Sequence, residues 1–308
     1  MTIINTLLDV FKSTNFTLTD AYSVCESANN ESVRARIYEN LNVLFERIDR
    51  GVYRARHQDE EALLIEGDGR DLSFIEDASI DCIVTDHPWE DPKSNKGGSR
   101  NFTNYDTFRY NQDDFNEKAR VLKNGHFLIE FLPSENANNY EYLYQLKTMA
   151  KDAGFEYYAK VPWKKGTFIA NTGRTSKNTE DVMIFTKGKA RSLRPDAKKN
   201  KQSGTLEHFM SGAKGMLPTA FDHQPPTRRE RIHQSEKPVS LIQEILSYIT
   251  NPNDIVLDQF AGSGSVMMAA VKNGCKALAI EMDHQFCNLI KARFITAEIP
   301  LSVLKSNS

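Results

Sequence analysis

From Ala62 onward, short apolar runs alternate with helical segments along the chain. Ala62 to Glu66, Ile80 to Thr85, Gly125 to Leu132, Asp181 to Thr186, Ile255 to Asp258 and Ala277 to Glu281 are each four to eight residues long, the length of strands buried in a parallel sheet. The pattern predicts an α/β fold, a wound and mostly parallel sheet, over residues 57–308. One stretch interrupts it. Arg191 to Arg231 holds nine Lys/Arg against four Asp/Glu, several Gly and Pro, and no sustained periodicity, so it reads as an insertion over about 190–232. Arg191, Arg194, Lys198, Lys199, Arg228 and Arg229 are its candidate phosphate contacts, and a solvated loop of the same composition is the alternative.

The first 56 residues follow a different period. Val33, Ile37, Leu41, Leu44 and Ile48 are spaced in steps of three and four, which predicts one apolar stripe on a helix from Ser32 to Ile48. Asn30 is placed to cap its start, and Arg34, Arg36, Asn40 and Arg47 lie largely off the stripe. Phe16 to Cys25 reads as a preceding helix, and Gly51 to Arg56 as a strand after a glycine turn. Residues 1–56 thus resemble a winged helix-turn-helix, with Arg34, Arg36 and Arg47 facing DNA and the strand as a wing. A packing or dimerisation cap fits as well, because Glu31 and Glu39 nearly balance Arg34 and Arg36, and phosphate binding requires uncompensated cations.

Composition narrows the class. With 308 residues, 40% hydrophobic and 10% aromatic, the chain can bury one large domain plus appendages, which excludes a disordered or fibrous protein. No run approaches the roughly 20 apolar residues of a membrane span, and the N-terminus lacks a signal peptide's basic start and cleavage site, so a cytoplasmic protein is expected. Cys25, Cys82, Cys275 and Cys287 are scattered; neither a disulfide framework nor a metal site is indicated. A net charge of -2 confines any nucleic-acid contact to local patches.

Two segments carry chemistry. In Asp254-Ile-Val-Leu-Asp-Gln-Phe-Ala-Gly-Ser-Gly-Ser265 a buried strand runs into Gly262 and Gly264, and an apolar helix follows. Glycines there let backbone approach a ligand that a Cβ would block. Glu281, about twenty residues on at the end of the next strand, can accept hydrogen bonds from ribose hydroxyls. The run lacks the longer G-x-G-x-x-G of a pyrophosphate cradle, which points to a nucleoside cofactor. Upstream, the strand ending at Thr85 leads into Asp86-His-Pro-Trp89, where α/β enzymes place their ligands. An exocyclic amine conjugated to a base is a poor nucleophile; acceptors for its N–H groups favour the tetrahedral nitrogen of the attack. The Asp86 carboxylate and the His87 carbonyl are such acceptors, and Trp89 can stack on a base rotated out of the duplex.

Five blocks occur in order: Asp86-His-Pro-Trp89, Val121-Leu-Lys-Asn-Gly125, Glu180-Asp-Val-Met-Ile-Phe-Thr-Lys-Gly188, His233-Gln-Ser-Glu-Lys-Pro238 and Asp258-Gln-Phe-Ala-Gly-Ser-Gly264. Over about Glu61 to Phe294 the chain resembles the β-class DNA amino-methyltransferases. That resemblance implies a sheet of the S-adenosylmethionine methyltransferase type, a target-recognition insertion, and transfer of a methyl group from S-adenosylmethionine to an amine of a flipped base in double-stranded DNA. It implies Asp86, His87, Pro88 and Trp89 as the base-holding residues. Asp68, Lys237, Pro238, Asp258, Phe260, Ala261, Gly262, Gly264 and Glu281 would surround the methyl donor, with no metal. An enzyme of restriction-modification type is implied, and a homodimer is left open.

The chain departs from the family tetrapeptide, Asp or Ser followed by Pro, Pro and an aromatic, at His87. The backbone acceptor survives the change, whereas proline's fixed φ is lost; position 87 is expected to contribute chiefly its carbonyl. Asp at the first place leans, in the family, to N6 of adenine over N4 of cytosine. N4-cytosine methylation, a non-catalytic DNA-binding regulator and an RNA methyltransferase are the alternatives.

Overall fold

The computed structural model describes residues 3–11, 14–39, 45–55, 61–89, 107–166, 168–169, 175–176, 179–191, 217–227, 229, 231–232 and 235–305. The chain divides into two compact units, Met1–Glu61 and Ala62–Ser308. Among the described residues no helix is long and apolar enough to cross a membrane, no cluster of His, Cys, Asp and Glu could hold a metal ion, and all four cysteines are buried and free.

The first unit runs α1 (Ile3–Phe11), β1 (Asn15–Thr17), α2 (Leu18–Val24), α3 (Asn30–Glu39), β2 (Phe45–Asp49) and β3 (Val52–Ala55), with the strands in the antiparallel order β1-β3-β2. Three sequence expectations are corrected here. Phe16 lies on β1, because Thr17 and Asp20 form a capping box that starts α2 only at Leu18. The Asn29 side chain, not that of Asn30, accepts from the Ser32 N–H at 2.7 Å. The helix stops at Glu39, so Arg47 and Ile48 lie on a strand; Leu41 and Leu44 fall outside the described residues. Gly51, at φ 77°, turns β2 back onto β3, and the hairpin buries Phe45 and Tyr53 with Leu7, Phe16, Ala21, Val33 and Ile37. Steps of three and four therefore described α3 but carried past its end into a strand.

The second unit contains β4 (Ala62–Glu66), β5 (Ile80–Thr85), α4 (Gln112–Val121), β6 (Leu122–Pro133), α5 (Tyr140–Asp152), β7 (Phe155–Lys164), β8 (Phe168–Ile169), β9 (Thr175–Ser176), β10 (Thr179–Lys187), β11 (Phe221–Asp222), α6 (Val239–Ile249), β12 (Ile255–Asp258), α7 (Ser265–Lys272), β13 (Lys276–Glu281), α8 (His284–Thr296) and β14 (Ser302–Lys305). Nine strands form one sheet in the order β11-β7-β10-β6-β5-β12-β13-β4-β14, and β6, β5, β12, β13, β4 and β14 are mutually parallel. Alternate side chains serve opposite faces. Cys82, Val84, Phe127, Ile129, Val256 and Ala279 pack under α6, α7 and α8. Ile83, Leu128, Leu257 and Ile280 pack with α4 and α5. Both faces being covered, these strands read as continuous apolar runs.

β10 has the same two-sided burial, from Val182 to Thr186, yet it pairs antiparallel with both β6 and β7. The run Asp181 to Thr186 is thus a core strand of the opposite direction from that expected: a buried run reports covered faces, not strand polarity. β5 continues to β6 on one side, whereas β12 continues to β13 on the other. Between β5 and β12 the winding diverges, the kind of switch point at whose carboxyl ends open α/β sheets form their ligand crevice.

Candidate active site

The glycine turn lies at one wall of that crevice. Gly262 and Gly264 hold φ of 51° and 72°, left-handed values that glycine adopts freely. Gly264 begins α7, and a Cβ on it would stand 3.1 Å from Ile290. The Glu281 carboxylate accepts from the Gly262 N–H at 2.7 Å and the Asp283 N–H at 2.8 Å, so it fixes the turn as well as facing the crevice. Burial pushes its carboxyl up. Asp258 accepts the Phe260 N–H at 3.2 Å. Burial, with Asp86 and Glu281 nearby, pushes Asp258 up to about 8.

The Asp68 turn is pressed against this wall. A Cβ on Gly69 would fall 1.8 Å from the Gln259 carbonyl oxygen, and the Gln259 side chain donates to the Gly69 carbonyl at 2.8 Å. Asp68 itself is exposed and accepts the Arg70 N–H at 2.9 Å, while Arg70 forms a fork with Asp114 of α4 at 2.8 and 3.1 Å. Gly69 and Gln259 had no chemical signal in the sequence beyond their position beside Asp68 and Asp258.

At the other wall, β5 delivers Asp86. Lys237 places its Nζ 2.5 Å from Asp86 Oδ2 and 3.3 Å from Glu180 Oε2, and Lys165 pairs with the other Glu180 oxygen. Glu180 reaches this edge because β10 is antiparallel: its start lies beside Pro133, the carboxyl end of β6. Burial opposes the charge on Lys237, but Asp86 and Glu180 outweigh it and push the ammonium up to about 12. Burial also holds the Asp86 carboxyl above its ordinary value against the pull of Lys237. Lys237, expected beside the methyl donor, thus sits on the acid of the tetrapeptide. Pro238 caps α6 behind it.

The rest of the tetrapeptide sits in an aromatic nest. Trp89 is half-buried, its ring 4.2 Å from that of His87 and edge-on to Tyr142 at 5.3 Å. The Pro88 carbonyl accepts the Phe108 N–H at 3.3 Å, and Phe108 packs on Phe260 of the glycine turn at 5.4 Å. His87 is fully enclosed, with Tyr142, Tyr110, Glu130 and Lys118 around its ring. Tyr110, Tyr142, Phe108, Lys118 and Glu130 lay outside the sequence reading, although a Lys and a Glu at core positions of α4 and β6 are the mark of a buried pair.

The candidate DNA contacts divide. Arg34, Arg36 and Arg47 are exposed on the first unit, and Arg229 is exposed on the second. Arg191 must be removed from the set. It donates to the Ile249 carbonyl and to Asp254 Oδ2, both at 2.7 Å, and meets His126 at 3.0 Å, at the amino-terminal edge of the sheet away from the crevice. Arg194, Lys198, Lys199 and Arg228, with most of the proposed insertion, lie outside the described residues.

The family model described as DNA methylase matches residues 80–292. YubD of Escherichia coli (strain K12), named as a methylase, is 27% identical over 208 residues, 68% of this chain and 78% of its own. The type II methyltransferase M.HpaI of Haemophilus parainfluenzae is 26% identical over 227 residues, 72% of this chain and 70% of its own. Among solved structures, TTHA0409 of Thermus thermophilus complexed with S-adenosyl-L-methionine has the same fold, with a TM-score of 0.54 at 21% identity over 79% of this chain and 99% of its own.

Lys237 separates two carboxylates, so its loss should be visible in stability. We expect Lys237→Met to cost about 2 to 3 kcal/mol at neutral pH, less than the ~3–5 kcal/mol of a wholly buried pair, because Asp86 and Glu180 keep 28% and 22% side-chain exposure. Without the ammonium both carboxyls move up from their wild-type values in the folded state, Glu180 less because Lys165 remains, so the folded variant holds protons that the folded wild type has released. The deficit is therefore full above the carboxylate range and shrinks as pH falls through it. Urea unfolding from acid to neutral pH checks this, and a deficit independent of pH would deny Lys237 its neutralising role.

Proposed function

The chain belongs to the DNA methylase family, whose model covers residues 80–292, and from that premise we propose that it transfers a methyl group from S-adenosylmethionine to the exocyclic N6 amine of adenine in DNA. The observation that carries the reading is Asp86: one carboxylate oxygen is held by Lys237, the other makes no hydrogen bond among the described residues, and Trp89, three residues on, is half-buried against His87 and Tyr142.

When bound, S-adenosylmethionine supplies a methyl carbon on a sulfonium. The chain's own residues fit such a donor: Asp258 is a buried acid facing other acids, and Gly262 has only the Phe260 carbonyl oxygen near its missing Cβ, at 3.9 Å. Asp258, with Gly262, Gly264 and Glu281, would hold it. On the acceptor side, Trp89 stacks on the flipped base, worth roughly 1 to 3 kcal/mol against the few kcal/mol of unstacking. Asp86 Oδ1 and the His87 carbonyl accept the amine N–H groups, steering the nitrogen lone pair away from the ring and toward the methyl carbon. The methylated nitrogen is a strong acid and sheds its extra proton to water. The choice of adenine over cytosine rests on Asp at the first place of the tetrapeptide, which in the family leans to N6 of adenine. In the same reading, Arg34, Arg36 and Arg47 give the N-terminal unit its DNA contacts.

Three measurements test this. Asp86→Ala should lower methyl transfer at least about a hundredfold, as loss of one preorganised electrostatic contact does, while donor binding persists. Tritium transfer to DNA followed by nucleoside analysis reads both rate and product, and N4-methylcytosine as the product would replace adenine by cytosine.

Asp258 predicts a proton-linked affinity. In the free protein it is protonated below about 8. A bound cation favours the carboxylate, so binding at neutral pH should release a proton, and affinity should rise with pH and level off above about 8. Calorimetry in buffers of different ionisation enthalpy would show the release, and Asp258→Asn should abolish it. Proton-free binding by the wild type would take Asp258 out of the donor site.

Removing residues 1–61 should weaken DNA affinity and flatten its dependence on salt, because each phosphate contact releases counterions, with donor affinity unchanged. An unaltered salt slope would favour the packing-cap role.

A further inference from the structure

Resting on the methylation reading, we propose that the His87 ring is a positioning group, which in its neutral form, protonated on Nδ1, ties the tetrapeptide to Tyr142 and Glu130 and so replaces the conformational constraint of proline. The partners of the two ring nitrogens select the tautomer. The Tyr110 N–H donates to Tyr142 Oη at 2.9 Å, and His87 Nε2, at 3.2 Å, is the acceptor within reach of the Tyr142 hydroxyl proton among the described residues. An accepting Nε2 is unprotonated, so the ring proton is on Nδ1. Nδ1 faces Glu130 Oε2 at 3.9 Å, beyond hydrogen-bond distance, with both side chains fully buried and neither atom hydrogen-bonded among the described residues, so an Nδ1–H is aimed at the carboxylate that can receive it. Glu130 Oε1 is paired with Lys118.

Packing completes the tie. The imidazole lies between Trp89 at 4.2 Å and Tyr110 at 4.1 Å, and the Lys118 Nζ stands 3.6 Å from the centre of the Tyr110 ring. One ring thereby joins the end of β5 to β6, α4 and α5 and braces the indole that captures the base. Enclosed as it is, His87 cannot take a proton from the substrate directly; its effect passes through Trp89 and its own carbonyl.

The arrangement is sensitive to protonation. An imidazolium would turn Nε2 into a donor, reverse its bond with Tyr142 and leave the Tyr142 hydroxyl proton without that acceptor. Burial pulls His87 below its ordinary range; Glu130 and Asp86 oppose this and Lys118 adds to it. Tyr110, Tyr142, Arg109 over the Tyr142 ring, and Asp114 complete the titratable and charged surroundings. Removing the hydrogen bond to neutral Nε2 therefore raises the His87 pKa, whereas removing the Glu130 carboxylate lowers it.

The test uses the full chain and two conservative changes. In nitrogen-15-labelled protein without DNA, the His87 signal, assigned by its loss in His87→Pro, should show the Nδ1–H tautomer and titrate below the ordinary histidine range. Tyr142→Phe should move that titration to higher pH. Glu130→Gln should move it lower, and Glu130→Gln paired with Lys118→Met does the same where the single change leaves an unfoldable buried ammonium. In methyl transfer, Tyr142→Phe should lower kcat roughly three- to tenfold at neutral pH, leave KM for the donor unchanged, and shift the acid limb of kcat with the ring's titration. An Nε2–H tautomer, or an acid limb that stays put while the ring's titration moves, overturns the proposal. The ring is read without DNA, so its result stands apart from that of the methylation assay.

Discussion

Two carboxylates can share the buried edge of this sheet only because an ammonium stands between them. Lys237 fills that role for Asp86 and Glu180, and the positions of the partners follow from chain direction. Asp86 is at the end of a parallel strand, Glu180 at the start of an antiparallel one, and opposed directions bring the end of one strand and the start of the other to one edge. Had β10 run parallel to β6, Glu180 would sit at the far edge and Lys237 would face Asp86 alone. The ammonium also occupies one Asp86 oxygen, which leaves the other without a hydrogen bond among the described residues and, in the proposed reaction, makes the acid a directed acceptor rather than a freely rotating one.

The two walls of the crevice are not independent. Phe108, hydrogen-bonded to the Pro88 carbonyl, packs on Phe260 of the glycine turn, and Gly69 abuts Gln259 so closely that no Cβ fits. Phe108 also lies under the Arg70 guanidinium, 4.9 Å from ring centre to charge. The glycine turn, the Asp68 turn and the Asp86-to-Trp89 tetrapeptide therefore share one packing unit. Rigid mutual placement of two ligands is worth more to a two-substrate reaction than either site alone, since reacting atoms must be brought within contact distance in a fixed orientation.

Much of this was legible in the chain. The four central strands Ala62 to Glu66, Ile80 to Thr85, Ile255 to Asp258 and Ala277 to Glu281 are short apolar runs whose ends carry the acids and glycines of the site, so periodicity and chemistry pointed to the same places. What stayed hidden has physical causes. β7 was not read as a strand: Pro162 and the exposed Tyr157 and Tyr158 break its pattern. The direction of β10 leaves no mark in a run buried on both faces. The helix of the first unit was overextended because Ile48 continues a spacing that the turn at Gly51 makes irrelevant. Pairings such as Lys237 with Asp86 join residues 151 positions apart, a separation at which spacing carries no information.

His87 shows how a local rule can be broken and the geometry kept by other means. Proline restrains φ through a covalent ring that needs no neighbours and does not titrate. Histidine supplies no such restraint, and here the constraint comes from outside: a hydroxyl on α5, a carboxylate on β6, an ammonium on α4 and two flanking aromatic rings. Those groups are costly to bury unless they satisfy one another, so the tetrapeptide becomes sensitive to the packing of α4 and α5. A proline-bearing loop would be indifferent to a change at Lys118 or Tyr142. This one is not, and the exchange of a covalent restraint for a network carries protonation state into the geometry of the loop proposed to hold the base.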